Sequence, residues 1–345
     1  MKFNYFFVFF VFIILIEFTM ASTNDLNSKY IDKQGNYKKS SLREIISNNH
    51  PVFKPENNRY HIYHSYGCPF STRVLITLEL KGLNNCIDNS VADYIVDKSI
   101  GWAFTKTTEG CTIDKVNNFK SVKEIYQLND KNYNGKITLP ILFDKKTNVI
   151  VNNDSSEIMR MLNKEFNEFS NKKPGDKDYY DLYPMEYQDS INEINEFILP
   201  TINLGVYKCG LANTQQEYTD KFNILFNALD RIEDTLKRDR YLVVGSDKIT
   251  ESDIKLFSTL IRFDAAYLQL FKCNKKQIKE YPMLSNYVRE LYQIKEINST
   301  INFHHIKYWL FTFFENVNPL KIVPIGPDLQ WLNESHNRHL MSKYY

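Results

Sequence analysis

The residues best placed to do chemistry lie around Cys68, which is followed directly by Pro69. The segment before them, residues 59–65, alternates in the manner of a β-strand, and residues 71–82 carry apolar side chains at helical spacing up to a glycine. Cys68 is therefore expected at the start of a helix, where free amides and the helix dipole favour the thiolate over the thiol. A thiolate is the nucleophile in thiol–disulfide exchange.

Cys68 has no second cysteine at the spacing of a CxxC motif, because position 71 is Ser. Such a site can form a mixed disulfide but needs an external thiol to resolve it. The alternative is a buried structural cysteine, which is common for this residue type. The position before Pro69, where the missing N–H of a first helical residue costs nothing, favours the reactive interpretation.

Two further motifs are expected close to Cys68. Leu139-Pro140 begins a predicted strand, where Pro is either an ordinary edge residue or, in a thioredoxin-type domain, a cis-Pro that faces the reactive cysteine. Asp154-Ser155 begins the next predicted helix and offers amides for a carboxylate and a carboxylate for an ammonium group. The γ-glutamyl end of glutathione carries both groups beside a thiol. Simple helix capping is the alternative for Asp154 and Ser155, and taken alone it is the stronger one.

The order of predicted elements defines two domains. Strand, helix, a long insertion, strand, strand and helix follow one another over residues 58–168, which is typical of an α/β thioredoxin-like domain. A polar linker with Pro174-Gly175 comes next. Beyond it we find only helical patterns, and these indicate an all-α domain over 184–327. The predicted helices cover roughly 184–200, 214–238, 252–270, 281–294 and 301–314. We interpret residues 22–57 as a mobile arm with one short helix near 42–47, and 328–345 as a tail.

Composition narrows the class of protein. The chain has 345 residues, of which 43 % are hydrophobic and 24 % charged, as in globular proteins. Its 43 Lys and Arg against 41 Asp and Glu leave a net charge of +2, which gives no electrostatic footprint for nucleic acid. The five cysteines form no CxxC pair and no close cluster with His, so we expect no metal site.

The first residues have the pattern of a targeting segment. A basic start at Lys2, an apolar run and the small residues Thr19 and Ala21 predict a signal peptide over residues 1–21. An uncleaved anchor formed by residues 3–18 is the alternative, although the run is shorter than the ~20 residues that a spanning helix needs. We therefore expect entry into the secretory pathway, with the ER lumen or an endomembrane-derived organelle as destination.

Many short segments of the chain, in one order, resemble a known family. They include RYHIYHSYGCPFSTRVLITLELKGL, GWAF, KITLPILFDKKTNVIVNNDSSEIMRMLN, INLGVYKCGLA and IVPIGP. The chain resembles the glutathionyl-hydroquinone reductases, the Xi class of glutathione transferases, which is related to the Omega class. The resemblance runs from about Gly35 to Pro327. It implies the glutathione transferase fold, a homodimer, and glutathione as a co-substrate with no metal and no bound organic cofactor.

The resemblance also assigns roles to single residues. It implies that Cys68 is the catalytic nucleophile and that Tyr207 contributes to the second-substrate site. The residues implied to bind glutathione are Trp102, Lys123, Leu139, Pro140, Asp154 and Ser155. Without the resemblance, Trp102 would be interpreted as an ordinary core aromatic.

The chain departs from the family at two places. The family's Cys-Pro-Trp-Ala-His-Arg is Cys-Pro-Phe-Ser-Thr-Arg here, over residues 68–73. Trp309, Leu310 and Phe311 stand at the second-substrate positions where the family has His-Tyr-Tyr. The tyrosine hydroxyls of the family bind hydroquinone oxygens, and each such hydrogen bond is worth about 1 kcal/mol. The residues implied to act on glutathione are present, so the glutathione chemistry is expected to be retained. The identity of the second substrate is open because these tyrosines are replaced.

The expected function is a glutathione-dependent reductase or thiol transferase. It would reduce glutathionyl-(hydro)quinone-type conjugates through a mixed disulfide between Cys68 and glutathione, so its partners would be glutathione and a small hydrophobic electrophile conjugate. The alternative is a non-catalytic protein of the same fold that binds glutathione or a hydrophobic ligand. The replaced tyrosines and the altered residues after Cys68 motivate this second hypothesis.

Overall fold

The structure of the chain is a computed structural model that describes residues 42–97, 99–128 and 130–343. The predicted signal peptide or anchor, and most of the predicted arm, lie outside these residues. Among the helices of the described part, none combines the length and the apolar character that crossing a membrane requires.

A four-stranded mixed sheet forms the centre of the first domain. Its strands are β1 (Tyr60–His64), β2 (Asp88–Val91), β3 (Ile141–Asp144) and β4 (Val149–Asn152), in the order β2-β1-β3-β4. β1 is parallel to β2 and antiparallel to β3, and β3 and β4 form an antiparallel pair. This topology, with helices between the strands, is the thioredoxin-like arrangement that the element order predicts.

In the described part of this domain, three helices accompany the sheet: α1 (Pro69–Leu80), α2 (Val122–Gln127) and α3 (Ser155–Lys164). α1 is buried on almost all sides and packs against α3. α1 ends shortly before Gly82, as the sequence predicts. Gly82 has φ +62°, a left-handed conformation that favours glycine and ends the helix. α1 is therefore a rigid base for the residue at its N-terminus.

The second domain is entirely helical, as predicted. Its helices are α4 (Gln188–Ile198), α5 (Gly205–Gly210), α6 (Gln215–Leu236), α7 (Glu251–Arg262), α8 (Leu268–Leu270), α9 (Pro282–Gln293), α10 (Lys295–Asn298) and α11 (Phe303–Phe313). Each of the five predicted helical segments contains at least one of these helices. Two π-helical turns, at Leu199–Asn203 and Phe263–Tyr267, interrupt the regular α-helices.

α7 joins the two domains. A capping box begins it, in which Asp253 accepts hydrogen bonds from the Thr250 backbone N–H and hydroxyl, both at 2.9 Å. All its residues are buried, and it packs against α1 of the first domain. The sequence predicts this helix and its cap, but it does not predict the packing of the helix against α1.

The short helix and the mobile character predicted for the arm are wrong within the described residues. Residues 42–57 form no helix and are not a loose arm, because Ile46 and Phe53 are fully buried and Glu44 N–H donates to Val151 O at 2.9 Å. Residues 328–343 belong to the predicted tail. They contain two short 3₁₀ segments, and Arg338 is completely buried against backbone carbonyls of the helical domain. Burial of isolated side chains orders both segments, without a periodic pattern that the sequence could show.

Candidate functional site

Cys68 occupies the N-cap of α1, and Pro69 is the first helical residue, as the sequence predicts. Its backbone is held on both sides, since Cys68 N–H donates to Ser65 O and Cys68 O accepts from Thr72 N–H, each at 3.1 Å. The side chain is 6 % exposed. The thiol is thus fixed at the positive end of a buried helix, a setting that favours nucleophilic sulfur.

The Cys68 thiol faces the Leu139-Pro140 motif. Its Sγ donates to Leu139 O at 3.4 Å, and the Leu139–Pro140 peptide bond is cis. Across residues 42–97, 99–128 and 130–343, the Leu139 N–H has no hydrogen-bond acceptor. A free backbone donor therefore lies in the same segment as a carbonyl that contacts the thiol, and an extended peptide beside Cys68 can pair with both.

Asp154 and Ser155 begin α3, at the carboxyl end of β4. Asp154 Oδ1 accepts from Ser156 N–H and Glu157 N–H, both at 2.9 Å, so the capping role is present. The other carboxylate oxygen lies 3.2 Å from the Arg43 guanidinium. Ser155 is buried. An ammonium group that approaches Asp154 therefore meets a carboxylate already paired with a half-exposed arginine.

Trp102 stacks on Trp309, with ring centroids 5.8 Å apart and an interplanar angle of 24°. Trp309 also lies directly against the residue before Cys68, because a Cβ on Gly67 would be 2.6 Å from Trp309 Cβ. The two indoles thus belong to one aromatic group beside the thiol. Trp309 Nε1 is buried and has no hydrogen-bond partner among the described residues, which leaves one donor available.

Lys123 is linked to this group through the backbone. Val122 N–H, which precedes Lys123 at the start of α2, donates to Trp102 O at 2.9 Å. Lys123 itself is exposed. Its ammonium group is therefore free to approach a solvent-facing carboxylate.

Tyr207, on α5, lies on the opposite, helical-domain side of the site. Its hydroxyl is 3.0 Å from the Tyr267 hydroxyl. Burial and the neighbouring Tyr267 raise the pKa of Tyr207 well above its ordinary value, and Cys68 is among the groups that add to this shift. Tyr207 is accordingly a neutral phenol within the electrostatic range of the thiol.

Leu310 and Phe311 are core residues of α11, 0 % and 4 % exposed. They lie one and two positions after Trp309 on the same helix. The contact of Trp309 with Gly67 brings α11 to the turn that carries Cys68.

Sequence reasoning missed Arg262, Arg73 and Tyr267 as parts of this site. All three are buried, and the pKa of each is influenced by Cys68. The one available signal was an arginine within the apolar run LFSTLIRFDAAY, where a charged residue on a buried helix requires a partner. Elsewhere in the described part of the chain, no group of three or more His, Cys, Asp or Glu is placed to hold a metal ion.

Comparison with known families agrees with this architecture. The glutathione S-transferase N-terminal domain matches residues 67–165, and the glutathione S-transferase C-terminal domain matches residues 215–290. The first match begins at the turn that carries Cys68 and ends with α3. The fold and the two matches, in this order, define a glutathione transferase.

Individual relatives narrow the class. "Glutathione S-transferase omega-like 2" of Schizosaccharomyces pombe is 40 % identical over 299 residues, which are 86 % of this chain and 94 % of that protein. Glutathionyl-hydroquinone reductase YqjG of Escherichia coli is 39 % identical over 83 % of this chain and 84 % of its own length. The chain therefore belongs to the glutathionyl-hydroquinone reductases, the Xi class of the glutathione transferase family.

Solved structures agree with this assignment. A Xi-class transferase from Natrialba magadii superimposes with a TM-score of 0.81 at 39 % identity, over 87 % of this chain and 89 % of that one. The glutathione-bound structure of the Escherichia coli relative gives 0.81 at 37 % identity, over 86 % and 96 %. The predicted family, fold class and type of enzyme, a glutathione-dependent oxidoreductase, are confirmed.

Proposed function

We propose that this protein reduces glutathionyl-(hydro)quinone-type conjugates, with Cys68 as the nucleophile and glutathione as the reductant. The observation that carries the proposal is the position of Cys68 at the N-cap of α1, with its Sγ 3.4 Å from Leu139 O. Two curated relatives, each about 40 % identical, bear the name glutathionyl-hydroquinone reductase, which supports the substrate class.

The proposed reaction has two displacements. In the first, the Cys68 thiolate attacks the sulfur of the glutathionyl conjugate and forms a Cys68–glutathione disulfide. The carbon–sulfur bond of the conjugate breaks, and its electron pair takes up a proton on the organic acceptor, which leaves reduced. In the second, the thiolate of another glutathione attacks the glutathionyl sulfur, so that glutathione disulfide leaves and the Cys68 thiolate is restored. The net change converts one conjugate and one glutathione into the reduced acceptor and glutathione disulfide.

The surrounding residues suit the glutathione of this scheme. The free Leu139 N–H and the Leu139 carbonyl can pair with the cysteinyl part of the tripeptide. We propose that Ser155 receives the γ-glutamyl carboxylate, that Asp154 receives its ammonium group, and that the exposed Lys123 receives the glycyl carboxylate. Trp102 and Pro140 then line the cleft on either side. Structures of two relatives with bound glutathione support glutathione as the ligand.

A substrate panel tests the proposed function against the non-catalytic alternative. With glutathione present, we expect release of menadiol from glutathionyl-menadione at a rate that depends on both glutathione and Cys68. Dehydroascorbate and small disulfides are measured beside it to rank other acceptors. Retention on immobilised glutathione without reduction of any member of the panel would contradict the enzymatic proposal and favour a binding protein.

The second substrate is proposed to lie against the indole of Trp309. Its ring is 7 % exposed and stacks on both Trp102 and Phe313, and its N–H is buried without a partner among the described residues, so the indole can offer a donor to an acceptor oxygen at its edge. We propose that Tyr207 borders the same space from α5 and that Leu310 and Phe311 shape it from the core.

Replacement of Trp309 by Ala is expected to raise the KM for glutathionyl-menadione about fivefold, because an aromatic pair is worth roughly 0.5–1.5 kcal/mol. The KM for glutathione should stay near its original value. Trp309→Phe keeps a ring but removes the N–H, so it separates stacking from hydrogen bonding. Steady-state kinetics in both substrates check this, and an unchanged KM for the conjugate in Trp309→Ala would refute the assignment.

A homodimer is proposed for the assembly, as the family resemblance implies. Leu320, Ile322 and Ile325, which follow α11, expose most of their apolar side chains. Burial of these side chains against a second copy would remove that apolar surface from water. Light scattering should give the mass of two chains, and a mass of one chain at every concentration would contradict the proposal.

Entry into the secretory pathway is proposed from the sequence of residues 1–21. A fluorescent protein fused behind residues 1–60 should then localise to the endomembrane system. N-terminal sequencing of the mature protein distinguishes cleavage after Ala21 from a retained anchor. A fusion spread evenly through the cytosol would contradict the targeting proposal.

A further inference from the structure

Arg262, the last residue of α7, reaches from the helical domain to the turn that carries Cys68. It is completely buried. Its guanidinium donates to Tyr66 O at 2.9 Å, to Gly67 O at 3.3 Å and to the Thr72 hydroxyl at 2.7 Å. It thus holds the residues on both sides of Cys68, and a fourth donor is satisfied on α7 itself, at 2.7 Å from Ser258 O.

Arg73 brings a second guanidinium to the same place. It lies on α1, is 3 % exposed, and donates to Ser258 Oγ at 3.2 Å, so Ser258 receives both arginines. Its guanidinium stacks over the Phe70 ring at 4.6 Å. Two positive charges are therefore buried around one serine of α7.

Neither arginine has a carboxylate within salt-bridge distance among the described residues. Burial lowers the pKa of Arg262, and the groups that oppose this shift are Tyr267, Tyr207 and Cys68. Burial likewise lowers the pKa of Arg73 to about 10. Asp154, and after it Cys68, act in the opposite direction and raise this pKa. Asp154 is already engaged with Arg43 and with the cap of α3.

A buried cation is costly unless an anion compensates it. Four titratable groups interact electrostatically with Cys68: Arg73 on α1, Arg262 on α7, Tyr207 on α5 and Tyr267 in the π-helical turn. Burial raises the pKa of Tyr267 to about 12 and holds that of Tyr207 well above its ordinary value, so both phenols are neutral at physiological pH. Neither phenol therefore supplies a negative charge to Arg262, whose guanidinium binds residues on both sides of Cys68.

We propose that Arg262 is a positioning residue that fixes the Tyr66–Gly67 turn and, together with Arg73, stabilises Cys68 as a thiolate. The proposal rests on the proposed function, because it assigns a purpose to a charged Cys68. It also gives the helical domain a direct part in the chemistry of the first domain, since Arg262 and Ser258 both belong to α7.

The test is the rate at which iodoacetamide alkylates Cys68 in the full chain, measured from about pH 5 to about pH 10 by mass spectrometry of the Cys68 peptide. In Arg262→Met, the pH at which the alkylation rate rises should increase by about one unit. Alkylation on the acidic side of this rise should therefore be roughly tenfold slower. Arg262→Lys should recover most of the rate because it restores the charge. Arg73→Met should shift the profile in the same direction without breaking the contacts to the turn.

Arg338 provides the matched control. It is also completely buried and also donates to backbone carbonyls, of Leu236, Asp239 and Arg240, but it does not face Cys68. Arg338→Met should lower thermal stability and leave the alkylation profile unchanged. The proposal is overturned if Arg262→Met and Arg73→Met leave the profile where it is, or if Arg338→Met shifts it equally. If Arg262→Met does not fold, Arg73→Met and Arg262→Lys decide the question.

Alkylation does not require turnover, so this result stands apart from the proposed function. If Arg262→Met leaves the alkylation profile unshifted while the wild-type protein turns over glutathionyl-menadione, the role of Arg262 is refuted and the proposed function stands. Turnover that persists in Cys68→Ser would refute the proposed function while leaving the alkylation result valid.

Discussion

Replacement of Cys68 by Ser is expected to lower the turnover of glutathionyl-menadione by about a thousandfold or more. Serine keeps the size and the N-cap position but is a far weaker nucleophile at neutral pH, so the first displacement is lost. The KM for glutathione should change little, since the contacts proposed for the tripeptide lie on other residues. Steady-state kinetics of the purified variant, at saturating glutathione, measure the effect.

Cys111 offers the control for this variant, because it is the most exposed of the cysteines in the described residues. Burial, with the nearby Asp93, raises the pKa of Cys111 to about 12, so its thiol is not activated. Cys111→Ser should retain the original turnover. Equal losses in the two variants would indicate a general effect of cysteine removal and would contradict a specific role of Cys68.

Replacement of Asp144 by Asn is expected to destabilise the fold by about 3 kcal/mol or more, because it removes the buried anion of a buried arginine. Asp144 and Arg59 form a bidentate pair, with Nε–Oδ1 at 2.8 Å and Nη2–Oδ2 at 2.7 Å. Both side chains are buried, at the ends of β3 and β1. Chemical denaturation should show the lower free energy of unfolding.

Glu56 gives a matched control, since it pairs with the same arginine at 2.9 Å but is half exposed. Glu56→Gln should have a far smaller effect, as surface ion pairs contribute little. If both variants lose equal stability, the burial argument fails.

The Asp144 pair also has a defined pH dependence. Burial opposes ionisation of Asp144, but hydrogen bonds from Arg59 and Thr147 outweigh it and hold the pKa of Asp144 below its ordinary value. A carboxyl with a lowered pKa contributes stability that is fully present above its unfolded pKa, near 4, and is lost as pH falls through the folded value. The difference between wild type and Asp144→Asn should therefore shrink below about pH 4.

The sequence predicts the elements whose patterns are local. Cys68-Pro69 before a helical apolar pattern, Gly82 after it, and the Thr250 capping box each identify a boundary that the structure confirms. The pair β3–β4 follows from two short apolar runs around a polar turn. Each of these features depends on neighbouring residues alone.

Elements that depend on tertiary contacts cannot be predicted from local sequence patterns. β2 reads Asp-Asn-Ser-Val, which has no strand pattern, and it forms because β1 offers a parallel edge. Residues 42–57 lack periodicity, yet Ile46 and Phe53 are buried in the core. Arg262 is 194 positions from Cys68 in the sequence, so no local pattern links the two.

The most direct test of the account is intact-protein mass spectrometry after incubation with glutathione disulfide. We predict a gain of about 305 Da, one glutathione in disulfide linkage, located on the Cys68 peptide and removed by added glutathione. Cys111→Ser should form the same adduct, and Cys68→Ser should form none. An adduct that survives in Cys68→Ser, or a wild-type protein that gains no mass, would contradict the assignment of Cys68 as the nucleophile.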